Sequence, residues 1–258
     1  MAGRGLRDVF DYFVSPEEQR EARERTSSRD RPRAGARTSE AVSWGFSARP
    51  DRPLRCTLAI DMASTLALDG RRARIVACFA MPALLPRTHA VEWQTSEGAS
   101  DSERVAKLTA ALRDGPGDRH TLVVAPDAAL LQAIRAESPE LLPGLILPVD
   151  AVPRGVASAL QQLRALDRSR GQLRIAVLMV GAASEADAAY QRLAGSARLQ
   201  LGLELESLGS LQRDATCDRS LLAGRPVVEL DANSSSAKMW VRLGRRLCAD
   251  PPGLEQHA

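Results

Sequence analysis

Short apolar runs alternate with helically spaced apolar positions over most of this chain. Ala41 to Ser47, with Val42, Trp44 and Phe46, reads as a strand, and a turn follows at residues 50–57. Leu58 to Asp69 reads as an apolar helix that Gly70 stops. Arg71 to Phe79 reads as a second short strand, so residues 41–79 have the order of a βαβ crossover. Further on, Thr88 to Trp93 predicts a strand or sheet edge. Ser102 to Arg113 predicts a helix with Val105, Leu108 and Leu112 on one face, broken by Gly115-Pro116-Gly117. Ser184 to Leu193 predicts an Ala-rich helix of the kind that packs closely on a sheet.

The N-terminus has a different pattern. Leu6, Val9, Phe10 and Phe13 fall on one helical face, and Phe10, Tyr12 and Phe13 are half of the chain's four Phe and two Tyr. Ser15-Pro16-Glu17-Glu18 then joins an N-cap serine, a first-turn proline and a glutamate three residues on, a capping box leading into a charged helix from Gln19 to Arg25. Residues 26–40 mix Ser27, Ser28, Pro32 and Gly35 with alternating charges and read as a flexible linker. The apolar face has two open readings. It either folds back as an extra core layer or docks into a partner's groove through aromatic anchors. Membrane docking is the weakest alternative, because Asp8, Asp11, Glu17 and Glu18 oppose an anionic lipid surface.

The segment from Pro50 to Thr57 carries a resemblance. Its place between strand and helix is similar to the opening of the MinD/ParA family of deviant P-loop ATPases, the group that includes the FlhG or FleN flagellar-number regulators. In that family the turn reads Lys-Gly-Gly-Val-Gly-Lys-Thr-Thr, and of those residues only Thr57 survives here. The resemblance extends over residues 41–248. His120 to Pro126 resembles the strand ending in the switch Asp, with Ala125 at that position. Leu145 to Pro153 and the helix Val156 to Leu166 resemble the family's strand, Thr-Thr-Pro-Glu turn and helix. Leu173 to Gly181 resembles the strand ending in an adenine-contacting Asn, here Gly181. Gly202 to Gly209, Arg225 to Asp231 and the helix Ser235 to Cys248 resemble the closing strand, the Pro-Val-Val-Glu segment and the last helix. The resemblance implies a doubly wound, mostly parallel α/β sheet flanked by helices, P-loop NTPase-like.

At these positions the chemistry is altered. A phosphate loop needs glycines so that backbone N–H groups can curl around an anion, yet Asp51, Arg52 and Leu54 stand there, and Pro53 has no N–H to donate. Arg55 replaces the phosphate-binding lysine with a planar fork that is not a free substitute for an ammonium. Cys56 replaces the magnesium ligand and is a poor partner for a hard cation. Ala77 and Phe79 stand at the Asp-x-Asp of the second strand. The expectation is therefore a pseudo-ATPase without catalytic residues, cofactor or metal, acting as a scaffold or regulator by protein binding. An ATP- or ADP-binding switch with an atypical loop around Arg55 is the alternative. An unrelated enzyme at the carboxyl ends of the strands would draw on Asp127, Asp150 or Asp231, but no nucleophile and base accompany them at a recognisable spacing.

Composition changes this picture little. The 258 residues are 44% hydrophobic and 26% charged, enough for one sizeable α/β core plus extensions. The net charge of +3 is carried by Arg, since Lys107 and Lys238 are the only lysines, and no basic stripe with interleaved aromatics points to nucleic acid. Cys56, Cys78, Cys217 and Cys248, and His89, His120 and His257, form no metal or triad spacing. No apolar run approaches 18 residues, so the expectation is a soluble cytoplasmic protein without a membrane span. The expected division is a helical extension (1–25), linker (26–40), α/β domain (41–250) and disordered tail (251–258), with any homodimer independent of nucleotide.

Overall fold

Continuous burial along the central apolar runs decides the architecture. The computed structural model describes residues 43–48, 53–80, 85–86, 88–114, 119–166 and 174–249. The N-terminal extension with Leu6, Val9, Phe10 and Phe13, the linker, the C-terminal tail, Asp51 and Arg52 lie outside them, and of Pro53 and Leu54 only the backbone is described. Seven strands form one sheet: β1 (Ser43–Ser47), β2 (Arg72–Ala77), β3 (Val91–Thr95), β4 (Arg119–Ala125), β5 (Gly144–Asp150), β6 (Arg174–Val180) and β7 (Leu205–Leu211). Their spatial order is β3-β2-β4-β1-β5-β6-β7 and every pairing is parallel. Ile175, Val177 and Met179 pack on one face of β6 while Ala176 and Leu178 pack on the other. Successive side chains of a strand point to opposite faces, so a continuous apolar run marks a strand covered on both sides.

Helices supply that cover. α1 (Pro53–Leu68), α7 (Val227–Leu230) and α8 (Ser235–Ala249) pack on one face. The other face carries α2 (Asp101–Arg113), α3 (Ala128–Glu137), α4 (Pro153–Arg164) and α5 (Ala183–Leu201). α6 (Ala215–Ala223) joins β7 to α7. Trp240 of α8, Phe46 of β1 and Ile60 and Met62 of α1 are among the fully buried side chains of the first face. No described helix is long and apolar enough to cross a membrane.

Several boundaries differ from the sequence expectation. α1 begins at Pro53 rather than Leu58, because a proline in the first turn gives up only an N–H that has no helical partner there. Arg55, Cys56 and Thr57 therefore belong to a helical turn and not to a loop. The helix expected at 184–193 continues to Leu201, where Gly202 in the left-handed region (φ 62°) ends it. The strand expected at 88–93 is β3 at Val91–Thr95. α6 lies outside the sequence expectation, although its Asp214 N-cap and Gly224 terminus are both sequence signals.

Candidate functional site

At the carboxyl edge of the sheet an open cleft of about 1340 Å³ is lined from several sides. α1 contributes Arg55 and the end of β2 contributes Cys78 and Phe79. The turn after β4 contributes Pro126 and Asp127, and the end of β5 with α4 contributes Asp150, Arg154, Gln161 and Gln162. Arg104 of α2 completes the wall. Open parallel sheets place ligands along this edge.

The charged groups there are mostly engaged by the protein itself. Arg55 donates from Nη2 to Asp150 Oδ2 at 3.0 Å, the Arg55 side chain being 19% exposed and Asp150 44%. Such a half-exposed pair contributes at most about 1 kcal/mol to stability, so its importance is positional. Asp127 accepts the Leu130 N–H at 2.9 Å and is the N-cap of α3. Arg104 bonds Asp101 at 2.8 Å. Ser47, buried at the end of β1, donates its hydroxyl to Gln162 Oε1 at 3.0 Å and ties β1 to α4. Asp231, which ends α7 and does not line the cleft, accepts the Asn233 N–H at 3.1 Å, with Arg219 3.7 Å away. Of the three aspartates, Asp127 and Asp150 share the cleft with the Cys78 thiol. Burial pushes the Cys78 thiol up to about 11, so it stays protonated at neutral pH.

The strand ends are apolar. Ala77 and Ala125 are buried at the last positions of β2 and β4, and the Ala48 N–H continues the ladder to the Ala125 carbonyl at 2.8 Å. At the end of β6, Gly181 has φ 155°, and a Cβ placed on it would lie 2.7 Å from Ala151 Cβ. The space that a side chain would need is already taken. Cys56 is fully buried in the first turn of α1, and Thr57 is nearly so. Gly155 has a matching constraint, since a Cβ there would lie 2.2 Å from the Asp150 carbonyl oxygen. Glycine thus lets α4 close on the end of β5 and fixes Asp150 opposite Arg55.

No protein-family model matches the chain, and no curated protein matches it in sequence. Solved structures do match it in three dimensions. MinD cell division protein of Aquifex aeolicus superposes with a TM-score of 0.59 at 12% identity, covering 84% of this chain and 100% of that one. The fold is that of the MinD/ParA ATPases. A ParA family ATPase from Chlorobium tepidum gives a TM-score of 0.56 at 12% identity over 81% of this chain and 99% of its own. Cyanothece McdA, solved as a substituted variant in complex with ATP, gives 0.54 at 12% identity over 84% and 100%. At such identities the likeness is one of fold.

Within the MinD/ParA fold, five of the described positions that the resemblance marks lie along one edge. Arg55 and Phe79 line the cleft, Ala77 and Ala125 end the strands beneath it, and Gly181 lies at the neighbouring strand end. Two features escaped the sequence reading. The Asp150 partner of Arg55 is 95 residues away, with no local signal. Asp61 is a lone acid inside the apolar helix α1, a signal that was legible. It is 3% exposed and accepts the Val227 N–H at 2.8 Å.

Proposed function

We propose that this chain is a non-hydrolysing protein of the MinD/ParA fold that acts by binding other proteins, as a scaffold or regulator in bacterial spatial organisation. Flagellar number or placement comes first among processes, on the resemblance of its sequence to the FlhG/FleN group. One observation carries the reading: the arginine at the phosphate-loop lysine position is neutralised by the protein's own Asp150. The apolar ends of β2 and β4 support it, because Ala77 and Ala125 offer no carboxylate to magnesium or to an attacking water. So does Gly181, where Ala151 fills the place of a base-contacting side chain. The proteins that share this fold include cell division factors, among them a MinC:MinD complex from Aquifex aeolicus. Partner binding through the face of Leu6, Val9, Phe10 and Phe13 belongs to this proposal, as does an oligomeric state that nucleotide does not change.

The test is ligand-dependent stability. A nucleotide at about 100 times its Kd adds roughly 2.7 kcal/mol, which for a chain of this size raises Tm by about 5–10 °C. Millimolar ATP with magnesium should move Tm by less than about 1 °C and leave the light-scattering mass unchanged. A shift of several degrees that Arg55→Ala abolishes would replace this reading with that of an ATP- or ADP-binding switch.

A further inference from the structure

Beside the cleft lies a second, smaller hollow of about 60 Å³, between α1, the end of β6, α6 and α8. Room for only a few waters remains in it. Asp61 forms part of its wall, together with Thr57, Leu58, Val180, Cys217 and Trp240, and Arg55, Asp150 and Arg213 complete it. Two polar groups there are poorly served by the described residues. Trp240 is fully buried and its indole Nε1 has no hydrogen-bond partner among them. The Asp61 carboxyl accepts one bond from them, from the backbone N–H of Val227 in α7, and makes no ion pair with them.

We propose that Asp61 is a proton-operated latch, whose neutral carboxyl holds α7 against α1 and whose ionisation releases that segment and admits water to the hollow beneath Trp240. An ionised carboxylate offers about four lone-pair sites and here has one donor. The surrounding charges do not compensate for the rest. α7 brings Glu229, a like charge. α6 brings Cys217, whose thiol burial pushes up and whose Sγ donates to Ser236 Oγ. α8 contributes the uncharged Trp240. The cations in the wall are already bound, Arg55 to Asp150 and Arg213 to Asp218 at 2.5 Å. Burial first of all, with Glu229 adding to it against the Val227 hydrogen bond, raises the carboxyl from 3.8 to about 7. The segment it holds is short, four helical residues with Val227 and Val228 buried. Hydrating the carboxylate there requires only that this turn lean away.

Hydrogen exchange on the full chain from pH 5 to 8.5, corrected for the intrinsic rate, tests the latch. If opening returns Asp61 to its ordinary acidity, protection of the amides at 225–231 should fall about tenfold per pH unit up to about pH 7 and then level off. In Asp61→Asn the same amides should show no such slope. The core strands β4 and β5 should not show it in either protein. Carbon-13 NMR of Asp-labelled wild-type chain gives an independent reading, in which one carboxyl should titrate near neutrality. The latch is overturned if every Asp carboxyl titrates below pH 5, or if the slope persists in Asp61→Asn. An equal slope in β4 and β5 would also overturn it, because the proton would then govern only global unfolding. If the Asn variant does not fold, the wild-type carboxyl midpoint and the exchange midpoint must coincide, and a mismatch rejects the proposal.

Discussion

Asp214 joins two helices through one carboxylate, and removing it gives a stability loss that can be calculated from the geometry. Its Oδ1 accepts the N–H groups of Thr216 and Cys217 at 2.9 and 3.3 Å, which caps α6. Its Oδ2 accepts the Ser235 hydroxyl at 2.8 Å and the Ser236 N–H at 3.2 Å, a second cap on α8 beside that of Ser234, whose Oγ accepts the Ala237 N–H at 3.1 Å. Burial would raise its pKa, but the hydrogen bonds from Ser235, Ser236 and Thr216 outweigh burial and hold it down to about 2. An N-cap replaced by Ala costs about 1 kcal/mol, so Asp214→Ala should cost about 2 kcal/mol for two caps and lower Tm by about 4–8 °C. Asp214→Asn should fall between. Its amide oxygen can serve one helix, but its NH₂ then faces the donors of the other, for a loss of about 1 kcal/mol. Because the folded carboxyl is depressed, the contribution is present above pH 3.8 and is lost as pH falls towards 2. Urea unfolding followed by far-ultraviolet circular dichroism at neutral pH measures both variants. An Asp214→Ala loss under about 0.5 kcal/mol, or an Asn variant indistinguishable from wild type, would refute the double-cap account.

Three further outcomes follow from the same geometry. Gly155→Ala places a Cβ 2.2 Å from the Asp150 carbonyl oxygen, so it should cost about 1–3 kcal/mol and displace Asp150 from Arg55; thermal melts and a crystal structure of the variant check both effects. Gly181→Asn should destabilise by a comparable amount against Ala151 and should not create ATP binding by calorimetry, since side chain and neighbour compete for the same space. Because the folded Asp61 carboxyl keeps its proton up to about 7 and the unfolded one releases it near 3.8, its contribution to stability is complete below 3.8, declines with rising pH and levels off above 7. The full decline is roughly 4 kcal/mol. Asp61→Asn, which keeps an acceptor for Val227, should be more stable than wild type at pH 8 by up to that amount, as chemical denaturation at pH 5 and pH 8 would show.

The sequence by itself determined the layers of this protein. Runs such as Ile175 to Val180 can be buried only if both faces of the strand are covered, and that condition, with helices between the runs, leads to a parallel sheet between helical layers. Chain-local chemistry also set several ends, with Pro53 opening α1, Gly202 closing α5 and Asp127 capping α3. The resemblance to MinD/ParA proteins picked out Arg55, Ala77, Ala125 and Gly181 because each can be read in place against a motif. What the sequence could not supply were pairings between distant residues, which the strand order decides. β5 lies beside β1 in the sheet, and this brings Asp150 to Arg55 across 95 positions. α7 and α8 return to the face of α1, and this sets Val227 against Asp61 across 166 positions and closes Trp240 over the hollow. Local pattern fixes which face of an element is apolar, but the element it meets depends on how the whole chain winds, so the ion pair and the buried acid exist only in the folded sheet.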